Sequence, residues 1–155
     1  MKIHLLSIGS KMPAWIESGV SEYQKRMPQE CTVKLIEIPL SKYQKNLSQH
    51  QILIQDQEKI LKKIPANTHV VILDKTGQSW DTMKLSGELE QWMFKGQDVS
   101  IVIGGPEGFD KNGLKVASQI WSLSNLTFPH MLVRVMVVEQ LYRAWSVLKN
   151  HPYHK

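Results

Sequence analysis

The stretch Ile101-Val102-Ile103-Gly104-Gly105-Pro106-Glu107-Gly108 decides the fold, because a run of β-branched residues breaks there into glycine. Val99, Ile101, Val102 and Ile103 read as a strand that is apolar on both faces, as strands inside a covered parallel sheet are. The glycines that follow remove side chains and permit φ > 0, which a tight loop at the carboxyl end of a sheet requires. In open α/β sheets that rim is where ligands bind, so a ligand is expected against the bare backbone.

Outward from this loop the chain alternates. Lys2 to Gly9 predicts a first strand, and Pro13 opens a helix with Trp15, Ile16, Val20 and Tyr23 on its core side. Val33 to Ile38 is a second strand stopped by Pro39. A polar connection over residues 41–51 leads into a helix near His50–Ile64 that Pro65 ends. His69 to Asp74 is a third strand, Lys75 to Ser79 a turn, and Asp81-Thr82 caps a helix through Met93. After the glycine loop a short helix is expected around Leu114–Ile120, then a strand or extended loop over Trp121–His130, then a long apolar helix from Leu132 to Leu148. This order predicts one α/β domain over residues 1–155, with a mostly parallel, doubly wound sheet and helices on both faces. By the general rules its path would be unknotted and right-handed.

The formal net charge is +5, and its placement matters more than its size. Residues 1–110 carry 13 Lys/Arg and 13 Asp/Glu, whereas residues 111–155 carry 6 Lys/Arg against Glu139 alone. A one-sided basic balance on a small domain fits an anionic partner, most often nucleic acid. No stretch reaches the ~18 apolar residues of a membrane span, and the start is too short for a signal peptide, so a cytoplasmic protein is expected. Cys31 is the one cysteine, which excludes an internal disulfide and any multi-cysteine metal site. His151 and His154 are separated by Pro152 and have no acidic cluster beside them, so no metal is expected.

Familiar nucleotide motifs are absent. Gly9-Ser10-Lys11 lacks phosphate-loop spacing, and the glycine loop lies on the fourth strand instead of the first βα unit of a dinucleotide fold. Asp74 ends a strand, where it could hold a ribose or cap the turn. Glu139 and Arg143, spaced i,i+4, form either a surface ion pair or a pair facing substrate. The apolar face of the last helix, with Val135, Met136, Val138, Leu141, Tyr142 and Trp145, exceeds what a small sheet needs and suggests a subunit interface.

Four segments in order carry a resemblance: Gly104-Gly105-Pro106-Glu107-Gly108; Leu123-Ser124-Asn125-Leu126-Thr127-Phe128-Pro129-His130; Leu141-Tyr142-Arg143-Ala144; and Tyr153-His154-Lys155. Together they resemble the ribosomal large subunit RNA methyltransferase H family of the SPOUT superfamily, along the whole chain. The resemblance implies a carboxyl-terminal deep trefoil knot, against the general rule, and an obligate homodimer. It implies S-adenosylmethionine bound by Leu73, Gly104, Gly105, Leu123, Ser124, Asn125, Leu126, Thr127 and Phe128. The implied reaction is methylation of N3 of a pseudouridine in helix 69 of 23S rRNA on the assembled ribosome. Tyr153 and His154 of one subunit would close over the cofactor of the other, with Arg143 steadying the developing anion and Glu139 an alternative proton acceptor. RNA would be drawn by Lys11, Lys25, Arg26, Arg134, Lys149 and Lys155, although Arg134, opposite Arg143 in helical phase, could instead brace the dimer. The rival classes are a non-catalytic RNA-binding module of the same fold and, less well supported, a nucleotide-dependent oxidoreductase that would need an acidic ribose clamp.

Overall fold

A computed structural model describes residues 1–9, 11–42 and 45–155; Ser10, and Tyr43 and Gln44 of the polar connection, lie outside the described residues. The strands are β1 (Lys2–Ile8), β2 (Thr32–Ile38), β3 (His69–Ser79), β4 (Val99–Ile103) and β5 (Gln119–Ser122). They form one all-parallel sheet in the order β2-β1-β4-β3-β5. The helices are α1 (Ala14–Arg26), α2 (Gln49–Leu61), α3 (Thr82–Lys95), α4 (Lys111–Leu114) and α5 (His130–Leu148), with a 3₁₀ turn at Pro152–His154. Alternation along each strand splits the core in two. Ile3, Leu5, Val71, Val99 and Ile101 pack under α1, α3 and α5, whereas Leu6, Ile8, Ile72 and Val102 face α2 and the α4 side. The all-buried fourth strand sits centrally, as its sequence requires.

Local signals behave as read at several ends. The Asp81 side chain accepts from Lys84 N at 2.7 Å and starts α3, and Ser48 with Gln51 forms a capping box that starts α2. Elsewhere tertiary pairing overrides the local reading. The expected turn at Lys75–Ser79 is the outer half of β3, which resumes pairing with β5 after an irregularity between Leu73 and Gln78. Gly77 makes this possible, since a Cβ there would lie 2.6 Å from the Ile120 backbone. The short helix comes earlier than expected, over Lys111–Leu114, because Asp110 caps it by accepting from Gly113 N at 2.8 Å. Residues 119–122 are then drawn into the sheet edge, and residues after Ser122 form a loop instead of a longer strand. Trp15 is 65% exposed, so it leaves the core face on which Ile16 and Val20 are buried.

Arg134 is also placed differently from the expectation. It is fully buried, at 0% exposure, so it is neither an RNA contact nor a dimer brace. Its Nε donates to Ser7 Oγ at 2.9 Å, its Nη1 to Glu37 at 2.9 Å, and its Nη2 to the Ile8 and Gly9 carbonyls at 3.1 and 2.6 Å. One guanidinium therefore ties α5 to the carboxyl ends of β1 and β2. Removing one partner of such a buried pair costs about 3–5 kcal/mol, because the acceptors are left unsatisfied. Arg134→Met is expected to lower the unfolding free energy in urea by about 3 kcal/mol, and Arg134→Lys to recover less than half of it, since an ammonium cannot span the same fork. A loss below about 1 kcal/mol would show the brace to be dispensable.

Candidate active site

The rim beyond β4 opens into a cleft of about 580 Å³, within the range of small-molecule sites. Its walls come from the irregular middle of β3, the glycine loop and α4, the segment after β5 and the first turn of α5. Bare backbone is a steric requirement here: a Cβ on Gly104 would lie 2.7 Å from the Phe109 ring, and Gly108 adopts φ +72°. Gly108 N donates to the Gly105 carbonyl at 3.0 Å, which closes the loop. Leu73, Gly104, Gly105, Leu123, Ser124, Leu126, Thr127 and Phe128 all line the cleft, whereas Asn125 does not. The Ser124 hydroxyl accepts from Leu126 N at 2.9 Å and shapes the opposite wall. Asp74 both lines the cleft and holds its own turn, accepting from Thr76 N at 2.9 Å.

Several lining residues have no sequence signal as site residues, among them Lys75, Thr76, Phe109, Lys111 and Val133, and His130, the end of a segment that carries the family resemblance, has no role assigned to it there. Only the convergence of four separate segments brings them together. His130 is the most distinctive. Its Nε2 is buried without a hydrogen-bond partner among the described residues, close to Gly9 and the Arg134 guanidinium. Burial, and secondarily the Arg134 charge, hold its imidazole below its ordinary value near 6.5.

A second cluster stands at the carboxyl end of α5. Glu139 Oε1 accepts from Arg143 Nε and Nη2 at 2.9 and 2.6 Å and from Tyr153 Oη at 2.9 Å. Its Oε2 accepts from Gln140 at 2.7 Å. Tyr153 Oη also stands 3.2 Å from the Tyr23 hydroxyl, and its ring packs 4.7 Å from Tyr142 and 4.9 Å from the Arg143 guanidinium. Burial and these bonds to Tyr23 and Glu139 push the Tyr153 phenol up, so it stays a neutral donor at any ordinary pH. Hydrogen bonding to Glu139 likewise raises Arg143. The i,i+4 pair is thus a fixed anchor for the tail, and each Glu139 oxygen already has a donor. His154 is half-buried, and its Nδ1 is a buried atom with no partner among the described residues.

Glu139, Arg143, Tyr153 and His154 gather at the tail, and none of them lines the glycine cleft of its own chain. Lys11, Lys25, Arg26, Lys149 and Lys155 are exposed. Arg26 is engaged with Glu22 at 2.6 Å, and Lys149 lies 3.4 Å from Glu30. Among the described residues no three His, Cys, Asp or Glu side chains gather as a metal ion would need, and no helix is long and apolar enough to cross a membrane.

A parallel sheet with a glycine-walled cleft at its carboxyl rim defines an α/β protein that binds a small cofactor with nucleoside-like bulk. A family model described as "Predicted SPOUT methyltransferase" matches residues 1–154. A "Ribosomal RNA large subunit methyltransferase H" from Hahella chejuensis is 49% identical over 100% of this chain and 99% of its own length. Its namesakes from Hydrogenovibrio crunogenus and Saccharophagus degradans are 46% and 47% identical, also over 100% of this chain and over 99% and 100% of theirs. The chain belongs to the SPOUT methyltransferases, within the ribosomal RNA large subunit methyltransferase H family. Distant solved structures share the fold. A tRNA (m1G37) methyltransferase from Aquifex aeolicus has TM-score 0.54 at 16% identity, covering 92% of this chain and 70% of that one. A methylase family protein from Neisseria gonorrhoeae has TM-score 0.53 at 13% identity, covering 90% and 81%. The family's cofactor is S-adenosylmethionine, and the cleft suits it: glycine backbone admits a flat nucleoside, and Leu73, Leu123 and Leu126 supply apolar walls.

The buried imidazole yields a pH prediction. Below its ordinary value near 6.5, His130 binds a proton in the unfolded chain before it does in the folded one, so stability rises with pH there. Its contribution is full above that value and is lost as the pH falls through the lowered folded value. Melting temperatures recorded from about pH 7.5 down to 5 should fall more steeply for the unsubstituted protein than for His130→Asn. Parallel curves would exclude the effect.

Proposed function

We propose that this protein methylates N3 of a pseudouridine in helix 69 of 23S rRNA on the assembled ribosome, as a homodimer in which each site is built from two chains. One observation carries the shared site: the glycine cleft and the Glu139–Arg143–Tyr153 cluster stand apart within one chain. A second copy that presents its tail to the cleft joins them. The half-buried Leu132, Val135 and Met136 of α5, with exposed Trp15 and Met83 on the neighbouring helices, supply apolar surface for that contact. The ribosomal RNA substrate follows the names of the relatives, which are large-subunit ribosomal RNA methyltransferases; the pseudouridine in helix 69 is what the family resemblance implies. The deep trefoil knot is what membership of this family implies for the carboxyl-terminal part of the chain.

S-adenosylmethionine supplies an already electrophilic methyl group, so the protein's tasks are in-line placement and removal of the N3 proton. Gly104 and Gly105 let the nucleoside reach the sheet rim, while the 123–128 loop reads its edge with backbone groups. Arg143, fixed by Glu139, holds the RNA anion. Tyr153 is held neutral and donates a hydrogen bond. Glu139 is fully engaged, which leaves His154 as the tail side chain that takes the proton; its Nδ1 is buried, so the ring acts through Nε2. Lys11, Lys25, Arg26, Lys149 and Lys155 steer the ribosome electrostatically, each phosphate contact contributing about one unit to the salt slope.

Labelled methyl transfer to ribosomes with and without pseudouridine tests the specificity, and equal labelling would reject it. Deleting residues 151–155 is expected to slow transfer about a hundredfold or more. A tail-deleted chain co-assembled with a Gly104→Val chain, each inactive alone, should regain activity, because one good cleft then meets one good tail. Continued inactivity of the mixture would place both halves of the site in one chain.

A further inference from the structure

Gln57 lies on α2, on the opposite face of the sheet from α5, and is only 6% exposed. A buried carboxamide is stable only if both of its ends are satisfied. Here they are met by a single residue. Gln57 Nε2 donates to Asp110 Oδ1 at 2.8 Å, and Gln57 Oε1 accepts from Asp110 N at 3.0 Å. The same Asp110 oxygen accepts from Gly113 N at 2.8 Å, so one carboxylate links the clamp to the α4 cap. Gly113 leaves the space for it, because a Cβ there would lie 2.1 Å from Gln57 Oε1.

What this clamp holds is the cofactor cleft. Asp110 itself does not line the cleft, but Phe109 and Lys111 on either side of it do. The Phe109 ring is the group nearest to where a Gly104 Cβ would stand. Fixing the Asp110 backbone and side chain together therefore fixes the Phe109 wall against the glycine loop, and α2 acts on the cleft without touching anything bound there. Hydrogen bonds from Gly113 and from Gln57 hold the Asp110 carboxyl below its usual range, so it is charged and accepting at ordinary pH.

We propose that Gln57 is a positioning residue for cofactor binding, its carboxamide pinning the 109–113 turn so that the Phe109 wall stands ready-formed. The inference rests on the reading of this cleft as the S-adenosylmethionine site. Substitution by the isosteric methionine, Gln57→Met, keeps the packing and removes both bonds. Calorimetry with S-adenosylmethionine should show affinity about tenfold weaker, the scale of losing a buried hydrogen-bonded pair. In methyl transfer to ribosomes KM for the cofactor should rise likewise, while kcat at saturating cofactor and KM for ribosomes stay within about twofold. Gln57→Glu should bind poorly, since two carboxylates then face each other. Unchanged affinity in Gln57→Met would overturn the proposal. So would a uniform loss across kcat and both KM values, which marks a purely structural role. If the unsubstituted protein binds no S-adenosylmethionine, the reading of the cleft fails first, and that result is separate from any variant.

Discussion

Arg134 is the constraint on which both halves of the site depend. A charged group with no exposure is tolerated only when its donors are met, and here they converge on the ends of β1 and β2 from the second turn of α5. That contact fixes the height of α5 over the sheet. Toward its amino end the helix delivers His130 and Val133 to the cleft; toward its carboxyl end it delivers Glu139 and Arg143 to the tail. Gly19 refines the placement, for its missing side chain is what admits Val135 at van der Waals distance. An apolar residue at position 134 could pack well, but it would not specify where along its axis the helix stops. Specifying that stop is what a buried guanidinium paired with a half-buried carboxylate does and an apolar side chain does not.

How much of this the sequence discloses depends on whether a signal is local. The βα alternation, the all-apolar fourth strand, the Asp81 cap and the glycine loop are local, and each stands where it is read. The second half of β3 is not: Lys75-Thr76-Gly77-Gln78-Ser79 has turn composition, and only the edge of β5 at backbone distance makes it a strand. Trp15 shows the reverse failure, an apolar residue at helical spacing whose neighbours do not cover it. Arg134 is illegible for a different reason. Its residue type predicts solvent or phosphate, and the acceptors that overrule that preference are 97 to 127 residues away in sequence. The cleft wall of Leu73, Gly104 and the 123–128 loop was legible through family resemblance, whereas Lys111 and His130 became visible only as their segments converged.

The tail illustrates how context changes the meaning of a pair. Spaced i,i+4 on a helix, Glu139 and Arg143 would as a surface pair contribute a few tenths of a kcal/mol. Here the carboxylate also receives the Tyr153 hydroxyl and the Gln140 amide, and the guanidinium lies over the Tyr153 ring. Every bond that fixes Tyr153 also takes up acceptor capacity on Glu139. A carboxylate saturated in this way is better suited to hold the tail in one geometry than to accept a proton during turnover. In the dimer proposed above the division of labour follows: α5 supplies rigidity, the last residues supply chemistry, and the cleft of each chain receives the tail of the other. On that proposal, pairing two copies assembles the site and doubles the basic surface offered to an anionic partner.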